Sequence, residues 1–92
     1  MMEQFAKSLC GHDRDSIYAI INEDSEYVYL VDGRLKKTDK PKKKKIKHVQ
    51  RIKNLPAQVD EILGSDIYHD DDTRIKNAIK AYNNFLNKDL AK

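Results

Sequence analysis

Eleven basic side chains crowd into residues 34–54, where Asp39 alone opposes them. Charges at this density repel one another and cannot be buried together, so the segment must lie on the surface of whatever fold the chain adopts. The flanks are acidic: net charge is −5 over residues 1–33, +10 over 34–54 and −2 over 55–92, for +3 overall. A positive field confined in this way is arranged to meet a polyanion, since each phosphate contact releases condensed counterions. An anionic membrane surface, an acidic protein partner, or a loop that is simply solvated would fit the same charge.

The remainder must supply the core, and 92 residues are enough for one modest core and no more. Phe5–Cys10 reads as a first strand, and residues 11–15 as a turn by composition. Ser16–Ile21 is a second strand whose continuous apolar character calls for burial on both faces. Glu26–Val31 alternates and is the clearest strand, close enough to the second for a tight hairpin. Residues 34–45, most of the lysine-rich segment 34–47, are expected to be a solvated loop, and Ile46–Ile52 a fourth strand. After Asn54 the period lengthens. Ala57–Leu63 fits a short helix, with Pro56 in its first turn and Gly64 beyond its end. Asp71–Leu90 fits a longer helix, because Ile75, Ile79, Tyr82, Leu86 and Leu90 recur at helical spacing. Asp70, Asp71 and Asp72 offer an N-cap and favourable charge for its dipole. The two helices are expected to pair antiparallel and to lean on the barrel away from the lysines. Residues 1–54 are expected to form the barrel unit, with 55–92 as a helical tail.

Candidate phosphate contacts are Arg34, Lys36, Lys37 and Lys40, the run Lys42, Lys43, Lys44 and Lys45, and then Lys47, Arg51 and Lys53. Tyr27 and Tyr29 share one face of the third strand, either stacking on bases or packing in the barrel wall, whereas Tyr18 is expected to be packed. Catalytic chemistry finds little support. His12 and Asp13 are neighbours in a turn, there is no glycine-rich phosphate loop, and Cys10 is a lone thiol better suited to packing. Residues 69–72 could in principle hold a divalent cation, but helix capping accounts for the aspartates, so no metal and no cofactor are expected. No stretch nears the roughly 20 apolar residues of a membrane span, and the start lacks the pattern of a signal peptide. With one cysteine, a reducing cytoplasmic setting is the simplest expectation.

Ser8-Leu9-Cys10-Gly11, followed after a short loop by Ile17-Tyr18-Ala19-Ile20-Ile21, resembles a KOW motif. Tyr29-Leu30-Val31-Asp32-Gly33 is similar to the third strand and turn of the single-KOW large-subunit ribosomal proteins of archaea and eukaryotes. The basic stretch and Lys47-His48-Val49-Gln50 look like the fourth strand of that barrel. Short KOW-domain RNA-binding proteins of Firmicutes are closer still, with tails resembling residues 72–80. The resemblance covers residues 4–53 well and the tail loosely. It implies a β-rich class with an α tail: a small SH3-like (KOW) β-barrel followed by two C-terminal helices. It also implies no enzymatic activity and binding to structured RNA, ribosomal RNA above all, with ribosomal proteins as further partners. KOW loops usually carry a second glycine and then a basic residue, and here those positions hold Asp15 and Ser16. That departure moves the expected main contact to residues 34–47 and leaves His12 and Arg14 as minor ones. A protein-interaction adaptor using the barrel edge and the amphipathic helix is the alternative function, and DNA is a third possible target.

Overall fold

The computed structural model describes the backbone of residues 4–90 and the side chains of residues 4–87. Five strands form one antiparallel sheet: β1 (Gln4–Ser8), β2 (Ile17–Glu23), β3 (Tyr27–Val31), β4 (Lys42–Lys45) and β5 (Val49–Ile52). A 3₁₀ turn, Ile46–His48, joins β4 to β5, and helices α1 (Ala57–Leu63) and α2 (Asp71–Leu90) follow. The order across the sheet is β4-β3-β2-β1-β5, every pair antiparallel. The sheet curls into the half-barrel of a small SH3-like fold. A register shift between Ile20 and Asn22 opposite β3 marks a bulge, which bends the strand where the sheet must curve. Asp24 closes the β2–β3 hairpin, its carboxylate accepting from the Glu26 and Tyr27 amides at 2.9 and 2.8 Å.

Alternation splits the core in two. Ala6, Tyr18, Ile20, Val28, Leu30 and Val49 fill the concave side, with Ile46 packed against them. Phe5, Ile17, Ala19 and Val31 face outward and meet Val59 and Leu63 of α1 and Ile75, Ala78, Ile79 and Tyr82 of α2. β2 is therefore buried on both faces over Ile17–Ile20, as its unbroken apolar run calls for. The Phe5 and Tyr82 rings meet edge-on, with centroids 5.8 Å apart. Leu90, the last residue of the anticipated stripe, falls outside the residues whose side chains are described.

The local signals act as capping physics requires. Asp70 caps α2, its carboxylate accepting from the Thr73 amide at 2.6 Å. Arg74 donates to the Leu63 carbonyl at 2.6 Å, tying the open C-terminal end of α1 to α2. Pro56 is the N-cap residue of α1 rather than a member of its first turn.

Four further expectations need correction. The lysine run is a strand: Lys42–Lys45 pairs with β3 and supplies partners for its edge amides and carbonyls. Lysine tolerates this because its aliphatic stem can cover apolar surface while its ammonium reaches a polar partner. The anticipated fourth strand is shorter, since Ile46–His48 must carry the chain from one edge of the sheet to the other. Likewise β1 ends at Ser8, whose amide and carbonyl turn to Ser16 and Asp15. Finally, the acidic start of α2 does not avoid the basic loop. Asp72 accepts from the Thr38 amide at 2.8 Å and lies 3.1 Å from the Thr38 hydroxyl, satisfying a loop donor that no strand reaches.

Candidate nucleic-acid interface

Because side chains alternate along a strand, the four lysines of β4 divide into two pairs. Lys42 and Lys44 stand opposite Leu30 and Val28, on the concave side, whereas Lys43 and Lys45 stand opposite Tyr29 and Tyr27, on the outer side.

The inner pair converges on Asp13, which the β1–β2 turn carries over the end of the barrel. Lys42 Nζ lies 2.6 Å from Asp13 Oδ2 and Lys44 Nζ 2.8 Å from Oδ1. Lys44 also donates to Ser8 Oγ at 2.7 Å and to the Cys10 carbonyl at 2.8 Å, so all three of its donors are used. Tyr18 donates its hydroxyl to Asp13 Oδ2 at 3.0 Å. Ser8 Oγ stands 2.9 Å from Asp13 Oδ1 and 3.0 Å from the Cys10 carbonyl, with one proton to give between them. Only 10% of the Lys44 side chain and 12% of the Asp13 side chain are exposed. Burial by itself pushes the Asp13 carboxyl up, but the hydrogen bonds from Lys42, Lys44, Ser8 and Tyr18 outweigh it and hold the group well below the usual carboxylate range. Burial, then the hydrogen bond to Asp13 and the charges of Asp13 and Asp32, push the Tyr18 phenol well above its ordinary value. The network closes the barrel end with every polar atom partnered.

The outer pair is free to meet a ligand. Lys43 Nζ sits 4.2 Å from the centroid of the Tyr27 ring, a cation–π contact on an open face, and Lys45 is exposed beside it. Tyr27 and Tyr29 are half-exposed, beyond the part of the outer face that the helices cover. The Tyr29 hydroxyl donates to Asp24 at 3.1 Å, and this bond raises its pKa.

The loop between β3 and β4 is folded rather than free. The Asp32 carboxylate accepts from the amides of Arg34 and Lys36, both at 2.9 Å. Gly33 has φ +77°, and a Cβ there would collide with the Asp72 carbonyl of α2 and crowd the Lys76 amide, so only glycine lets the loop lie on the helix. Arg34, Lys36, Lys37 and Lys40 all project from this pinned loop into solvent. Lys47 and Lys53 are exposed as well. Arg51 is committed to Glu23 at 2.8 Å and to Gln4 at 3.0 Å. In the β1–β2 turn, His12 and Arg14 are exposed, and Asp15 takes the left-handed conformation at φ +71° that aspartate tolerates.

Among the described residues, no group of three or more His, Cys, Asp and Glu side chains is placed to hold a metal ion. Asp70 caps α2, Asp71 pairs with Arg74 at 3.1 Å, and Asp72 holds Thr38. No described helix is long and apolar enough to cross a membrane. The candidates chosen from sequence omitted Lys76, Lys80, Asn83 and Asn84, which line a concavity beside Arg34. Their spacing puts them along one side of α2, but a polar stripe at that period looks the same as any solvated helix face. A scan of protein-family models finds none that matches this chain, and a search of curated proteins finds no similar sequence.

Proposed function

We propose that the protein is a non-enzymatic, cytoplasmic RNA-binding module of the KOW kind, which associates with structured RNA, ribosomal RNA foremost. The observation that carries this reading is the division of β4. Two of its lysines are consumed in closing the barrel, while Lys43 and Lys45 are presented outward with Tyr27 and Tyr29. Exposed aromatics interleaved with lysines suit an RNA strand, because rings accept bases and ammonium groups meet phosphates. Arg34, Lys36, Lys37 and Lys40 extend the basic surface on a loop already ordered by Asp32 and Asp72, so little entropy is lost when it binds. Lys47 and Lys53 add charge around β5. Lys42, Lys44 and Arg51 act chiefly in the fold, since acidic partners occupy them. Lysine dominates and amide side chains are few on this surface, so recognition rests on backbone and shape more than on base identity.

Titration of the full chain with a ribosomal RNA fragment over a range of salt tests this. If about five phosphates are neutralised, log affinity against log salt slopes at roughly −3.5 to −4.5. A flat response would overturn RNA binding through this surface.

A further inference from the structure

A groove of about 1060 Å³ runs between the β1–β2 turn and the start of the β3–β4 loop on one side and α2 on the other. Ile17, Tyr18, Leu35 and Ile79 line it together with polar and charged side chains, so its surface is mixed. Three carboxylates line it, and each is already engaged. Asp13 holds Lys42 and Lys44, Asp32 accepts two loop amides, and Asp15 stands 3.6 Å from Lys7. The three cations that line it, Arg34, Lys76 and Lys80, have no acidic partner among the described residues. Lys76, Lys80 and Asn83 fall at i, i+4 and i+7 along α2, forming one wall. Arg34 on the opposite wall is fixed relative to that row, because Gly33 lies against the backbone of Asp72 and Lys76 and Thr38 is bonded to Asp72.

A rigid groove with unpaired cations on both walls and free amides at one end is built for a polyanion. A small apolar ligand would need an enclosed hydrophobic lining, which this site lacks. A concavity of this volume within a molecule of 34 × 33 × 22 Å is too small to enclose a duplex but has room for a single strand, whose unpaired bases can reach side chains. We infer that this groove is a second RNA-binding site, which seats a single-stranded segment continuing from the RNA held at the β4 edge. Arg34, Lys76 and Lys80 contact its phosphates, while Asn83 and Asn84 reach ribose or base edges. The inference rests on the RNA-binding reading and extends it from the barrel to the helical tail.

The test compares an RNA hairpin carrying a single-stranded extension of about ten nucleotides with the same hairpin cut blunt. Three full-length chains are used: wild type, Lys76→Gln/Lys80→Gln, and Asn83→Leu, which removes the amide and keeps the bulk without adding charge or a ring that could stack on a base. All three positions are exposed on α2, and thermal melting verifies that each variant folds. Wild type should prefer the extended RNA. The double variant should lose that preference, with its salt slope on the extended RNA shallower by about 1.4, two contacts to a single strand. Asn83→Leu should reduce the preference while binding the blunt hairpin as wild type does. Equal weakening toward both RNAs in the double variant, with Asn83→Leu indistinguishable from wild type, would reduce the groove to background charge and overturn the inference. If wild type binds both hairpins equally, the groove site fails while RNA binding at the β4 edge stands. If wild type binds neither, the RNA reading fails and the groove site with it.

Discussion

Lys43 and Lys44 are adjacent and identical in chemistry, yet the fold treats them as different residues. Lys44 is nine-tenths buried, with each of its donors on a protein acceptor, whereas Lys43 is exposed and its ammonium lies over the Tyr27 ring. Charge density alone therefore overstates the binding surface. Half of the densest lysine run is spent inside the protein, and the other half owes its exposure to that expenditure, because the inner pair holds the strand in place.

The sharpest way to break this contrast is to remove the shared counterion. Asp13→Ala leaves two ammonium groups at the barrel end without their carboxylate, and should cost about 3–5 kcal/mol in urea unfolding. A loss below about 1 kcal/mol would mean that water replaces the carboxylate there at little cost. Acid should expose the same coupling. Asp13 has a depressed pKa in the fold, so its contribution is fully present above the unfolded value of 3.8 and is lost as pH falls below it toward the folded value. The melting temperature of wild type should drop across that range more steeply than that of Asp13→Asn, and parallel curves would contradict the network. At the alkaline end, the raised Tyr18 pKa predicts a further loss of stability above the ordinary tyrosine value of 10.0, where the unfolded chain ionises first.

A smaller effect separates the neighbouring lysines directly. Lys44→Met should destabilise by about 1.5–3 kcal/mol through lost hydrogen bonds to charged groups, whereas Lys43→Met should stay within about 0.5 kcal/mol. Equal melting temperatures for the two variants would deny the division of β4. The least effect on the fold belongs to Lys43→Gln/Lys45→Gln. It should flatten the salt dependence of RNA binding by about 1.4 to 1.8, while folded Lys44→Gln leaves that slope unchanged. If Lys44→Gln changes the slope as much as the outer pair does, the inner lysine is reaching phosphate after all.

The parts of the fold set by local pattern were legible in the sequence. β2 and β3 announce themselves by β-branched and aromatic runs, α1 and α2 by period and caps, and Asp15 by its tolerance of the left-handed region. β4 was not legible, because four lysines have neither strand propensity nor alternation to read. They form a strand because the edge of β3 and the carboxylate of Asp13 are waiting, and Asp13 lies 29 and 31 residues away in sequence. The candidate site was legible as a region and not as a list of residues. Which lysines face outward depends on the register of a strand that the composition hides. Lys76 and Lys80 join Arg34 through the packing of Gly33 against α2 and the Thr38–Asp72 bonds, contacts that spacing along the chain cannot reveal.

Four identical residues in β4 also carry no information about their own alignment. If the strand slid by one position, Lys43 and Lys45 would point inward, and Asp13 would meet two ammonium groups as before. In most strands such a slip is forbidden because it turns the apolar set toward water. Here that safeguard lies outside the repeat. Ile46 packs into the concave cluster, and its amide bonds the Glu26 carbonyl at 2.9 Å, while Pro41 at the other end has no amide to offer a new partner. The identity of the outward-facing lysines is thus written by the residues that bracket them. The outward pair, Lys43 and Lys45, could change with less effect on the fold than Ile46, since the bracketing residues distinguish one frame of a homopolymer from the next.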